Sequence, residues 1–101
     1  MPSISTRLGV RKKMPDLLVQ CDVETGLFKT EYLVSLLGSS FYVDQEDVRV
    51  TERPEIGRPV KGLVFAYLIE ERDEQAFIEL TGTPVMGGIR MSVPRAITQA
   101  A

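Results

Sequence analysis

Two runs of carboxylates are the densest chemistry-bearing clusters in the chain: Asp44, Glu46 and Asp47 in DQED, and Glu70, Glu71, Asp73 and Glu74 in EERDE. Oxygen donors so closely spaced suit a hard divalent cation. Neither run has the Asp-x-Asp-x-Asp-Gly order of a calcium loop, and both fall where solvated turns are expected. The chain has no histidine, which excludes Ser-His-Asp and Cys-His nucleophiles and any imidazole-ligated metal. Cys21 is the only cysteine. It lies on the apolar side of its segment and reads as a buried structural thiol rather than a nucleophile. TGTPVMGG, residues 81 to 88, carries three glycines, but in neither phosphate-cradling order, and no helix follows to supply a dipole. The chemistry predicted is therefore that of a non-enzymatic protein with no cofactor and no metal.

Charge is distributed unevenly. Residues 1–15 hold Arg7, Arg11, Lys12 and Lys13 with no acid, while residues 16–101 hold 8 basic and 14 acidic side chains. Only the first segment would attract a phosphate backbone; the rest would repel it on average. A second cationic patch is conceivable in the acid-free stretch from Gly82 to Ala101, which contains Arg90 and Arg95. The nucleic-acid candidates are thus Arg7, Arg11, Lys12, Lys13, Arg90 and Arg95. Tryptophan is absent, and Phe28, Phe41 and Tyr42 fall mostly on expected core faces, so no base-stacking platform is evident. The start, MPSISTRLGVRKK, lacks the apolar h-region of a signal peptide, and no stretch approaches the ~20 apolar residues of a membrane span. A single thiol fits a reducing compartment. A cytoplasmic protein with no membrane partner is expected.

The elements that would hold these residues are strands. Residues 1–15 read as a basic, mobile arm, with room for a short strand around Leu8–Arg11. Leu17, Val19, Cys21 and Val23 alternate with Leu18, Gln20, Asp22 and Glu24, the period of a half-buried strand. Glu24–Thr25–Gly26 turns the chain. The return strand places Phe28, Thr30, Tyr32, Val34 and Leu36 on one face. Gly38–Ser39–Ser40 turns again into Phe41–Tyr42–Val43. Residues 44–48 suit a single helical turn capped by Asp44, followed by a short strand, Val48–Val50. TERPEIGRPVK, residues 51–61, is the connecting loop. GLVFAYLIEE opens the second half, a polar turn follows at 72–75, and Ala76, Ile78 and Leu80 share a face. After a Pro/Gly loop, Ile89, Met91 and Val93 share the inner face of the last strand. Residues 98–101 read as a frayed tail.

The two halves, 16–50 and 62–97, echo one another. LVSLLG, residues 33–38, leads to FYVDQEDV; FIELTG, residues 77–82, leads to MSVPRAI after six extra residues. Either a duplicated unit or the shared grammar of β-meanders accounts for this. Pro94 cannot donate to a ladder, so it ends the strand and favours a tight helical turn that returns Ile97 to the core. Small SH3-like barrels close in this manner, an analogy of fold that carries no function. The expected fold is all-β: a single small domain, either a partly closed barrel of SH3-like character or a two-sheet sandwich, built from two similar β-meanders.

One feature remains for function. LVFAYLI, Leu63 to Ile69, is seven apolar residues in succession. Such a strand must be covered on both faces, by the domain itself or by another subunit. The leading expectation is an interaction or adaptor module that self-associates, by default as a dimer, with Leu63, Phe65, Tyr67 and Ile69 at the contact. A protein partner of another kind is a further expectation. The alternative is a small nucleic-acid-binding protein using 7–13 and the Arg90/Arg95 face. A third possibility is a ligand-binding or catalytic barrel whose pocket forms only between subunits.

Overall fold

The computed structural model describes residues 15–101; the basic segment, with Arg7, Arg11, Lys12, Lys13 and the possible Leu8–Arg11 strand, lies outside the described residues. The strands are β1 (Leu17–Thr25), β2 (Glu31–Leu36), β3 (Ser39–Asp44), β4 (Val48–Val50), β5 (Val60–Arg72), β6 (Gln75–Leu80), β7 (Thr83–Met86), β8 (Arg90–Pro94) and β9 (Thr98–Ala100). Single 3-10 turns, Gln45–Asp47 and Arg95–Ile97, precede β4 and β9. One antiparallel sheet runs β7-β3-β2-β1-β5-β6-β8, with β9 added to β1 and β4 added to β5. It is strongly curled and open, a half-barrel, and the fold is all-β.

Alternation sets which residues line the concave side. Val19, Val23, Val34, Phe41, Val64, Ala66, Ile78 and Val93 are fully enclosed there, and Cys21, Leu36, Val43, Val48 and Leu80 are nearly so. Each buried Val, Leu, Ile or Phe contributes roughly 1.5–3 kcal/mol. The described core holds no buried charged or polar residue.

The two meanders are related by an internal two-fold. Val19 of β1 pairs with Val64 of β5, and each is the other's counterpart. β4 pairs with β5 through Val48↔Val64, and β9 pairs with β1 through Thr98↔Val19. Each half thus ends in a short strand that crosses to the first strand of the other half. The turns match atom for atom: Gln45 N donates to Thr30 O at 2.9 Å, and Arg95 N to Glu74 O at 2.8 Å. Inner residues correspond accordingly, Val34 to Ile78, Leu36 to Leu80 and Val43 to Val93. The counterpart of Val48 is Thr98, so both halves space the closing strand identically after the valine. The six extra residues of the second half contribute β7, which lies against β3 of the first.

Six local expectations are corrected. Phe28 is not on the core face but 67% exposed. Gly26 N donates to Glu31 O and Glu31 N to Phe28 O, which closes residues 27–30 into a loop before β2 starts. A Cβ on Gly26 would lie 2.9 Å from Glu31 O, so that crossing needs glycine. The β2–β3 turn is Leu37–Gly38, both with positive φ, 48° and 85°, rather than Gly38–Ser40. Residues 83–86, expected in a loop, form β7. Residues 98–100 do not fray; they are β9. The turn at 45–47 is present, but Asp44 makes no side-chain cap bond. The connecting loop is shorter than expected, because β5 begins at Val60.

Candidate functional site: the outer face of the central strands

β5 lies at the centre of the sheet and bonds three strands: β1 along Val60–Ala66, β4 at Gly62–Val64 and β6 from Ala66 to Arg72. Its even residues Val64 and Ala66 are fully buried inward. Leu63, Phe65 and Tyr67 therefore stand in a row on the outer face, each half-buried. The expectation of a strand covered on both faces is met on the inner face alone. Leu63 lies opposite Gln20, Phe65 opposite Leu18 and Tyr67 opposite Glu79. The ladder then skips a residue between Leu68 and Glu70. Ile69 is the extra residue of this bulge and is 45% exposed; a bulge locally twists a strand and re-aims its side chains. Phe77 of β6, 40% exposed, pairs with Glu70 on the same outer face.

Sequence reasoning missed three members of this surface. Leu18 was assigned to the polar side with Gln20 and Asp22; it is on the outer face but only 2% exposed, between Phe65 and Gln99. A leucine interrupting a polar stripe was the available signal. Phe77 carried the same signal, out of phase with Ala76 and Ile78. Arg49, opposite Leu63, holds its guanidinium 5.1 Å above the centre of the Phe65 ring, a cation–π distance. Nothing in the local sequence marks that pairing.

Ion pairs border the row. Lys61 Nζ lies 3.0 Å from Asp22 Oδ1, Arg90 Nε 2.8 Å from Glu79 Oε1, and Arg72 2.6 Å from Glu70. Arg95 Nε sits 3.3 Å from Glu71 Oε2. The stretch that is acid-free in sequence is thus not acid-free in space: both candidate arginines face carboxylates delivered by β5 and β6. The structure does not bring Arg90 and Arg95 together as an unpaired basic face.

The carboxylate runs sit around the first 3-10 turn and the β5–β6 hairpin, where Asp73 takes φ 56° in a two-residue turn. Among the described residues no three such groups converge on a point that would hold a metal ion. Cys21 is buried, and its thiol is pushed up to about 12, mainly by desolvation and further by Asp22, with Lys61 opposing. A thiol so held is a poor nucleophile at neutral pH. A second apolar patch, Leu27, Phe28 and Ile56, rims a hollow at the end of the half-barrel. Pro54 is buried, and Gly57 N donates to Glu24 Oε1 at 3.2 Å, which ties the 51–59 loop to the end of β1. No helix among the described residues is long and apolar enough to cross a membrane.

Fold and surface together define an all-β half-barrel of two interlocked meanders with an apolar row on its outer face. Comparison with protein families, curated proteins and solved structures finds no match.

Proposed function

We propose that the protein is a non-enzymatic interaction module that self-associates through the outer face of β5. The observation that supports this most is the row of half-buried Leu63, Phe65 and Tyr67 on the outer face, beside the enclosed Leu18 and the 40% exposed Phe77. Its border consists of the matched pairs Asp22–Lys61, Glu79–Arg90 and Glu70–Arg72. A surface of near-balanced charge suits a second copy of itself better than a polyanion. An isologous dimer, face on face, would cover the apolar row in both copies at once. The buried thiol supports a reducing, cytoplasmic setting.

Nucleic-acid binding draws less support. Arg90 and Arg95 already have carboxylate partners, and the remaining cations of that proposal lie outside the described residues.

Light scattering over a hundredfold concentration range tests the proposal. Self-association gives a mass above 11.3 kDa that falls on dilution. Phe65→Asp, at an outward position, returns the monomer mass with an unchanged far-UV spectrum. A strict monomer at every concentration overturns it.

A further inference from the structure

The internal two-fold supplies a comparison within one chain: wherever the fold alone dictates a residue, its counterpart should be similar. Most inner positions obey this. A departure in charge on the outer face lies in a groove beside β4, lined by Gln20, Arg49, Thr51, Lys61 and Leu63 over Gly62, with a volume of about 920 Å³. The counterparts of Arg49, Lys61, Gln20 and Thr51 are Gln99, Asp16, Phe65 and Ala101. Around the second half the equivalent positions thus carry one acid and no base, and Asp16 uses its carboxylate to accept Leu68 N at 2.7 Å. Around the first they carry two bases and two uncharged polar groups.

From this asymmetry we infer that the groove is a binding site for a small carboxylate carried on an apolar body. Arg49 supplies the charge. Among the described residues it has no carboxylate within salt-bridge distance, while Lys61 is held by Asp22. The guanidinium is oriented by the Phe65 ring below it, and its planar fork matches a carboxylate. One unpaired cation suits a monoanion; a phosphate dianion would need a second free charge, which Asp22 withdraws. Leu63 offers the apolar wall beside the guanidinium, while Val48 and Val50 border the groove through the β4 backbone and turn their side chains to the core. Val23 and Val50 close tightly over Gly62, where a Cβ would lie 2.7 Å from Val23 Cγ2. That close approach keeps β4 seated and the groove wall rigid.

The probe is laurate, compared with dodecanol and with inorganic phosphate, by calorimetry and by amide shifts on the full chain. Laurate binds and shifts Gln20, Arg49 and Leu63; dodecanol binds more weakly, and phosphate weakest. Arg49→Gln, which installs the residue found at the twin position and so preserves the fold, lowers laurate affinity by about tenfold. Equal binding of laurate and dodecanol, phosphate binding as tight as laurate, shifts confined to other surfaces, or an Arg49→Gln affinity equal to wild type would each overturn the inference. Leu63 and Phe65 belong to both surfaces, so the calorimetry is run at concentrations where light scattering gives the monomer mass, and the mass of the Arg49→Gln protein is read separately.

Discussion

Deleting Thr98–Ala101 should destabilise the domain severely, although these four residues look expendable in sequence. β9 pairs with β1 through Thr98↔Val19, Gln99↔Leu18 and Ala100↔Leu17. Ala101 N donates to Asp16 O at 3.3 Å, and antiparallel ladders repeat every second residue. Gln99 and Leu18 therefore exchange two further bonds. The deletion removes roughly three backbone bonds at about 1 kcal/mol each. It also strips the edge beside Leu18, now 2% exposed, and removes the Thr98 Oγ1 bond to Arg95 O at 2.8 Å. A loss of about 3 kcal/mol is a large part of the ~5–15 kcal/mol available to a domain. At roughly 4–8 °C per kcal/mol, Tm falls by about 12–24 °C. Thermal melting by circular dichroism reads this directly, and the Leu18 amide, protected in the full chain, exchanges freely in the truncated one. A truncated protein that melts within about 3 °C of the full chain, with Leu18 still protected, would refute the interlocked arrangement of the two halves.

Three further outcomes are expected. Leu37, exposed at 62% with φ 48°, occupies a conformation that costs a leucine about 1 kcal/mol, so Leu37→Asn raises the urea midpoint and an unchanged midpoint contradicts the turn. A Cβ on Gly82 would lie 2.5 Å from Tyr42 O and 2.8 Å from Val43 Cγ2; Gly82→Ala therefore costs about 1–3 kcal/mol in chemical denaturation, and a neutral effect would mean that β3 and β7 are farther apart. Burial pushes the Cys21 thiol up from its ordinary value of 9.0 to about 12 in the folded chain. Its contribution is therefore complete below pH 9 and is lost as pH rises toward 12, by at most about 4 kcal/mol. The stability gap between wild type and Cys21→Ala should narrow between pH 8 and pH 10.5, whereas parallel pH dependences would place the thiol in water.

Strand identity was legible wherever one face alone is buried. Val19, Cys21 and Val23 announce β1 by alternation, as Ala76, Ile78 and Leu80 announce β6, and all six are buried. What sequence could not supply was register between distant strands. β7 pairs with β3 across the chain, so TPVM reads locally as a Pro/Gly loop; β9 has meaning only beside β1. Phe28 misled because alternation was extended through a loop that two backbone bonds, rather than any side-chain pattern, define. The same limit governs the candidate site. Leu63, Phe65 and Tyr67 were visible as part of one run, but which of the seven residues face outward depends on the register with β1 and on the bulge at Ile69. Arg90 and Arg95 looked unopposed because Glu79 and Glu71 belong to neighbouring strands.

The internal two-fold separates what folding requires from what it does not. Val34 and Ile78, Leu36 and Leu80, and Val43 and Val93 are paired counterparts, and every one is buried; the barrel interior tolerates only exchange among apolar residues of similar volume. On the outer face the counterparts diverge: Leu18 against Leu63 is retained, while Gln20 against Phe65, Asp22 against Tyr67 and Gln99 against Arg49 are not. No packing demand distinguishes these positions, since both members of each pair stand on the same face of symmetry-related strands. Apolar and aromatic character has accumulated on β5, and the cation Arg49 beside it on β4, while β1 and β9 carry polar amides and an acid in the same places. Stability therefore accounts for the inside of the half-barrel, and the asymmetry of its outside is where function must be sought: a one-sided surface on a two-fold scaffold, apolar along β5 and cationic at Arg49.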